Sequence, residues 1–472
     1  MELPPGGSRR LPKVPPSTSP DPRSAALRDA AERALRYLNG LDGRRVAPSA
    51  EAVAGLERLR TPLSEEGAPV LEVLATLDSL GSPATMASAG GRFFGFVVGG
   101  SLPAAVAASW LATAWDQNAG ITVLSPVAAA LEEVALEWLT GIFGLPAATG
   151  GGFVTCATLA NFAGLAAARH ELLARAGWDV EARGLFEAPP VKVVVGDEVH
   201  VSVLKALAML GLGRERVVRV PVDGHGRLRA EALPPLDEST LLCLQAGNVN
   251  TGAFDPAPDA IAAARAAGAW VHVDGAFGLW AKAAPARARL AAGFEDADSW
   301  ALDAHKWLNV PYDSGVVLCR RPDRLRAALG TTAAYLVEGP GREPDHYTPE
   351  FSRRARGVEI WAALLSLGRQ GLAELVERCC RHATRFAVGL GAAGFEVLNE
   401  VVLNQVLVSF GSPEETRRVI EQIQAEGTCW CGGTVWQGRT AMRISVSSWA
   451  TTDGDVELSL EAIIRAARGA KT

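Results

Sequence analysis

Lysine is nearly missing from this chain. Of its 46 basic residues only six are lysines: Lys13, Lys192, Lys205, Lys282, Lys306 and Lys471. Arginine keeps its charge at any physiological pH, so chemistry that needs a free amine is confined to these few positions. Lys13 and Lys471 lie in polar tails, Lys192 opens a strand, and Lys205 and Lys282 fall in helical or connecting segments without a polar cluster beside them. Lys306 stands in Asp303-Ala304-His305-Lys306-Trp307.

Other shortages exclude whole classes of function. The net charge of -6 leaves no basic excess for nucleic acid or an anionic membrane. Seven cysteines are scattered, Cys379-Cys380 and Cys429-Trp430-Cys431 among them, with neither zinc-ligand spacing nor a disulfide framework. Reduced thiols in a cytoplasm are expected, with no metal. The first 24 residues carry Pro, Ser and Arg but no apolar core of a signal peptide, and read as a flexible tail. The uncharged run from Phe93 to Trp115 is long enough to span a bilayer, yet Gly95, Gly99, Gly100 and Pro103 interrupt it and basic flanks are absent. It reads as a buried wall of a soluble protein.

What is abundant is apolar surface. At 472 residues, 48% hydrophobic and 21% charged, the chain can bury a large core and is too long for one ordinary domain. Residues 25–80 read as helices with exposed Arg and Glu faces that dock on a partner subunit. Residues 81–365 alternate short apolar strands with Ala-rich helices, the pattern of a mainly parallel sheet covered on both faces. Strands are expected at Gly152 to Thr155, Val191 to Val195, Val217 to Val220, Leu241 to Gln245, Trp270 to Asp274, Ser299 to Leu302 and Gly315 to Cys319. Residues 366–472 read as a smaller α+β domain, with strands near Glu396 to Leu398, Gln405 to Phe410 and Met442 to Val446.

In such a sheet ligands collect beyond the carboxyl ends of the strands, and the polar clusters lie there. Asp274 ends an apolar strand, where an uncompensated carboxylate is costly. An acid and a lysine at the ends of neighbouring strands suit pyridoxal 5'-phosphate (PLP): the acid keeps the pyridine nitrogen protonated, and the lysine supplies the amine that anchors the cofactor. The run from Gly150 to Asn161 passes from glycines through a strand into a helix, whose first N–H groups attract a phosphate. His305 can add a donor there. His200, in Asp197-Glu198-Val199-His200, is placed to stack on a pyridine ring, and Asn248 to Gly252, with Asn250 at its centre, offers polar groups to the ring's rim or forms a plain turn.

Together these motifs resemble the group II PLP-dependent amino acid decarboxylases, from about residue 75 onward. The resemblance rests on Asp303 to Gly315 (DAHKWLNVPYDSG), His272 to Gly278 (HVDGAFG), Arg92 to Phe96 (RFFGF) and Ser352 to Gly357 (SRRARG), which occur in the family's order. It implies the aspartate aminotransferase type I fold, a large α/β domain with a small C-terminal α+β domain. It further implies Lys306 as the residue that binds the cofactor, Asp274 as the pyridinium partner, His200 as the stacking imidazole, and Ala157, Thr158 and His305 on the phosphate side, with Asp303 also among the cofactor-binding residues. Tyr335 matches the loop tyrosine that protonates the α-carbon across a homodimer interface; Tyr347 is a nearby rival. Thr155-Cys156-Ala157-Thr158 departs from the family's usual Ser-Gly-Gly-Ser/Thr, which implies an altered phosphate contact.

The expected activity is decarboxylation of an L-amino acid, with Phe93, Phe94, Phe96, Trp110 and Trp115 as candidate walls for an aromatic or bulky apolar side chain. Aldehyde-forming, lyase or aminotransferase chemistry on the same scaffold stays open, as does a binding role without catalysis. Arg353 and Arg354 are candidates for the carboxylate clamp an aminotransferase needs, although the resemblance places them near the mobile loop instead.

Overall fold

The computed structural model describes residues 21–331 and 341–470, so Tyr335 lies outside the described residues, as do Lys13, Lys471 and most of the N-terminal tail. The chain divides into two compact units. Residues 21–44 and 48–86 form a helical unit of α1 (Pro22–Asn39), α2 (Ala50–Gly55) and α3 (Val70–Ala84). Arg33 ties α1 to α3 by binding Asp29 at 2.6 Å and Asp78 at 3.0 Å. Leu27, Leu35, Leu63, Val73 and Leu77 remain exposed, so this unit contains little core of its own.

The second unit holds everything else. After α4 (Pro103–Trp115) and α5 (Pro126–Phe143) come β1 (Gly150–Val154), α6 (Ala157–Arg175), α7 (Val180–Arg183), β2 (Lys192–Gly196), α8 (Val201–Met209) and β3 (Val218–Val220). Then follow β4 (Thr240–Gln245), α9 (Ala257–Ala266), β5 (Trp270–Asp274), β6 (Ser299–Asp303), β7 (Gly315–Cys319) and α10 (Pro322–Leu329). The seven strands make one sheet in the order β1-β7-β6-β5-β4-β2-β3. The pairs from β3 through β6 are parallel, and β7 runs antiparallel to both its neighbours. Alternation along the strands serves two cores. Val193 and Val195 of β2 pack with α6 and α8 on one face, while Val194, Leu242, Val271 and Trp300 pack on the other.

The remainder is a second layer: α11 (Gly357–Ala392), kinked at Gly368, then β8 (Glu396–Val397), β9 (Gln405–Ser409), α12 (Pro413–Glu426), β10 (Gly432–Trp436), β11 (Arg439–Ser445) and α13 (Asp453–Gly469). Its sheet runs β10-β11-β9-β8, all antiparallel. Capping boxes at Ser412/Glu415 and Thr452/Asp455 start α12 and α13. This is the α/β fold with a smaller α+β layer that the motifs imply.

Three expectations need correction. β10 was not anticipated: it opens on Gly432-Gly433, which carry little strand propensity, and it is held by pairing with β11. The Phe93 to Trp115 run is only partly a buried wall: Phe93, Phe94, Val97, Leu102 and Ala105 are buried, whereas Phe96, Trp110, Leu111 and Trp115 are exposed in the single chain. The chain turns at Phe96 and Val97, both at positive φ, and continues as α4, which covers the core along one side alone. Lys282 has an ionic neighbour, Glu295 at 2.6 Å. Among the described residues no helix is long and apolar enough to cross a membrane.

Candidate active site

Two neighbouring parallel strands each end in an aspartate, β5 in Asp274 and β6 in Asp303. Their register pairs Asp274 with Ala301, so Asp303 reaches two residues further. Lys306 follows three residues on. A cleft opens over these ends, lined by His200, Gln245, Gly247, Val249, Asp274, Ala276, Phe277 and Lys306. Backbone crowding shapes it. A Cβ on Gly99 would lie 1.6 Å from the Lys306 carbonyl oxygen, so residue 99 must be glycine for that chain to pass behind the lysine.

Asp274 is buried and held by neutral donors. Its Oδ1 accepts the Ala276 N–H at 3.2 Å; its Oδ2 faces Asn161 Nδ2 and Ser202 Oγ, each at 3.4 Å. Asn161 is oriented in turn by His272, whose Nε2 lies 2.8 Å from Asn161 Oδ1 and whose Nδ1 lies 2.8 Å from Ser299 Oγ. Burial pushes His272 down to about 3, so its ring is neutral; Nε2 then donates to the asparagine oxygen and Nδ1 accepts from the serine. The asparagine's NH₂ is thereby turned toward Asp274. Ser202 also meets His200 Nδ1 at 2.8 Å, and its N–H donates to the same nitrogen at 3.3 Å, fixing the imidazole at the start of α8. Burial lowers the pKa of His200, with Lys306 and Arg443 adding to that, against the opposing pull of Asp274 and Asp303.

Asp303 is handled differently. It is 3% exposed; its Oδ1 accepts the Ala157 N–H, the first of α6, at 2.5 Å, and its Oδ2 lies 2.9 Å from Lys306 Nζ. His305 Nε2 is 3.5 Å from the same carboxylate. The other ring nitrogen of His305, Nδ1, accepts the Ser314 N–H at 3.1 Å, so a neutral ring carries its proton on Nε2, and burial lowers this pKa too. Tyr312 places its half-exposed ring 4.3 Å from that of His305.

Lys306, Asp274, His200, Asp303, His305 and the start of α6 at Ala157 and Thr158 therefore converge on one locality. Asn250 turns aside: its Oδ1 accepts from Thr434 of β10 at 3.1 Å, while Gly247 and Val249 line the cleft. Tyr347, the rival of Tyr335, packs beneath the Arg342 guanidinium against the core shared by α6, α8 and the sheet. Arg353 is fully buried and bound to Glu132 and the Phe153 carbonyl, and Arg354 is bound to Glu359, so neither is free to clamp a substrate. Phe93 and Phe96 stack on Trp430, Phe94 packs against Phe386, and Trp110 and Trp115 lie exposed on α4; none of the five lines the cleft.

Four contributors had no role in the sequence reading: Asn161, Ser202, His272 and Arg443. Arg443, on β11, donates to the Val249 carbonyl at 3.1 Å, its charge is felt at His200, and no ion pair to it occurs among the described residues. Burial lowers its pKa. A second tie joins the same layers: Glu198, two residues before His200, accepts from Asn248 at 2.9 Å, Gln437 at 3.1 Å and Trp436 at 3.2 Å.

The donor set fits PLP. A buried carboxylate set for a protonated ring nitrogen, an amine and an imidazole share one cleft, and a helix N-terminus adjoins it. Comparison with known proteins agrees. Residues 61–411 match the pyridoxal-dependent decarboxylase conserved domain. The chain is 30% identical to an L-2,4-diaminobutyrate decarboxylase of Rhizobium meliloti, over 78% of this chain and 76% of that one. It is 26% identical to tryptophan decarboxylase 1 of Oryza sativa, over 95% and 94%. The fold superposes on a crystal structure of Oryza sativa TDC with PLP and tryptamine with a TM-score of 0.88, 23% identity and coverage of 97% and 99%.

Proposed function

The chain belongs to the pyridoxal-dependent decarboxylase family and is a PLP-dependent amino acid decarboxylase; from that premise we propose that it acts on an aromatic L-amino acid, with Lys306 and Asp274 as its two anchors. The observation that carries the residue assignment is the meeting of Lys306, Asp274 and His200 in one cleft. Bound PLP supplies an electrophilic carbonyl for the substrate amine and a ring that accepts the electron pair left when carbon dioxide departs.

The chain's own residues do the rest. Lys306 would provide the amine that holds the cofactor. Asp274, buried, would keep a proton on the pyridine nitrogen, and the Asn161-Ser202-His272 network keeps the carboxylate aimed. His200 offers a flat neutral ring to stack against, its orientation fixed by Ser202. The first turn of α6 at Ala157 and Thr158, with His305, is proposed to receive the phosphate. Arg443 is proposed to attract the substrate carboxylate, since its charge lies next to His200 and is not neutralised by an ion pair among the described residues. Tyr335, outside the described residues, is proposed as the proton donor to the α-carbon.

Two features support the aromatic substrate: the apolar cleft walls Val249 and Phe277, and the names of several relatives, which include tyrosine and aromatic-L-amino-acid decarboxylases. A cytoplasmic homodimer is proposed as well. The exposed Trp110, Leu111 and Trp115 of α4, with Val123 and Leu124, make an apolar stretch that a second copy would cover.

The test is a visible spectrum of the purified protein with PLP, then carbon dioxide release across the twenty L-amino acids. Expected are a cofactor band and release confined to aromatic substrates, with Lys306→Ala losing both. Release from 2,4-diaminobutyrate in place of the aromatic amino acids would move the substrate class, and turnover retained by Lys306→Ala would remove the lysine's role.

A further inference from the structure

The site holds an anion of its own at the place proposed for the phosphate. Helix α6 runs for 19 residues, and its N-cap residue, Cys156, supplies no side-chain hydrogen bond. The cap comes instead from Asp303, 146 residues away in sequence, whose Oδ1 takes the first N–H of the helix at 2.5 Å. The same carboxylate faces Lys306 Nζ at 2.9 Å and His305 Nε2 at 3.5 Å, and its side chain is 4% exposed. Three donors that a phosphate monoester could use here, the first N–H of α6, Lys306 and His305, are therefore shared with a buried carboxylate, and water is too scarce to screen the two anions from each other.

Building on the cofactor assignment above, we propose that Asp303 is an internal competitor for the cofactor's phosphate: the phosphate must take the α6 N–H from this carboxylate, which sets cofactor affinity below what the helix end alone would give. Asp303 also offsets the charge of Lys306, so removing its charge has two consequences that need separating. A ligand without a phosphate separates them. Pyridoxal meets Lys306, Asp274 and His200 but makes no demand on the α6 terminus. PLP makes all of these contacts.

The experiment measures equilibrium dissociation constants of PLP and of pyridoxal for the full-length protein and for Asp303→Asn, followed by the cofactor's visible absorbance and by quenching of tryptophan fluorescence at one pH. Asparagine keeps an oxygen for the Ala157 N–H and removes the charge. The expected result is that the ratio of the PLP to the pyridoxal dissociation constant falls about tenfold or more in the variant, as removal of a like charge a few ångströms from a dianion requires. Inorganic phosphate should also become the stronger competitor of PLP in the variant. Should Asp303→Asn fold poorly, Asp303→Ser removes the same charge and is read by the same ratio. An unchanged ratio, with both ligands weakened together, would overturn the proposal and leave Asp303 as a support for Lys306. Failure of the unaltered protein to bind PLP or pyridoxal would instead overturn the cofactor assignment in this cleft.

Discussion

Asp274 and Asp303 end adjacent parallel strands and both are almost fully buried, but their side-chain partners differ. Asp274 is touched by an asparagine, a serine and a backbone N–H, all neutral. Asp303 is touched by a lysine and by the positive end of a helix. A buried carboxylate without a cation beside it is expensive unless a cation arrives from outside. Asp274 is thus built to wait for a positively charged ring, and Asp303 is already compensated. The same side chain at equivalent ends of two strands is a partner for the cofactor in one case and a rival to it in the other.

The sharpest way to break this contrast is Asp274→Asn at saturating PLP. Losing the anion that keeps the ring protonated should lower turnover by about a hundred- to a thousandfold, the scale of deleting one preorganised electrostatic group. Asp303→Asn under the same conditions should change turnover far less, since its effect lies in cofactor affinity. Steady-state kinetics at matched cofactor saturation checks both, and equal losses in kcat would dissolve the distinction.

A smaller effect is expected one layer out. Asn161 is fully buried and connects His272 to Asp274. Asn161→Leu leaves the His272 N–H and one Asp274 oxygen without this partner. Turnover should fall about tenfold through misplacement of the carboxylate, and stability should fall by about 1–3 kcal/mol through the unsatisfied donor. Denaturant melts with kinetics on the same sample read both. Full activity with lowered stability would show that Asp274 does not depend on Asn161 for its aim.

Much of this contrast was legible in the sequence, and the limits of that reading are physical. The central strands announce themselves as short apolar runs because both faces of the sheet are covered, and β5 and β7 have the expected bounds. Lys306 stood out because lysine is scarce, and Asp274 because it closes an apolar run. His272 lies in plain view two residues earlier, but a strand's alternation says only that it points away from the residues on either side. That it meets Asn161 and Ser299 depends on how β5, β6 and α6 assemble. Arg443 contacts a carbonyl 194 residues away, and no local pattern encodes such a distance. Arg353 shows the same limit, its partner Glu132 lying 221 residues away on α5, whereas Arg354 is held by Glu359 only five residues on.

The smallest effect concerns the network behind Asp274 and is read from stability alone. Burial holds His272 at about 3 in the folded protein, against an ordinary value of 6.5. Below pH 6.5 the unfolded chain binds a proton that folded His272 refuses, so its contribution is complete above pH 6.5 and is lost as the pH falls toward 3, at about 1.4 kcal/mol per pH unit. Asp255 pulls the other way. Burial raises it from 3.8 to about 6, so the folded state holds its proton more tightly and stability falls as pH rises through that interval. Between pH 4 and 6 these two slopes oppose each other, and other shifted groups, His200 and His305 among them, add their own, so the titration of His272 is not read from the unaltered protein alone. Replacing the histidine by glutamine uncovers it: the difference in unfolding free energy between the unaltered protein and His272→Gln should narrow by about 1.4 kcal/mol per unit as pH drops below 6.5. A difference that stays constant from pH 7 to pH 4 would mean that His272 takes up a proton in the folded state, and the neutral ring that turns Asn161 toward Asp274 would have to be abandoned.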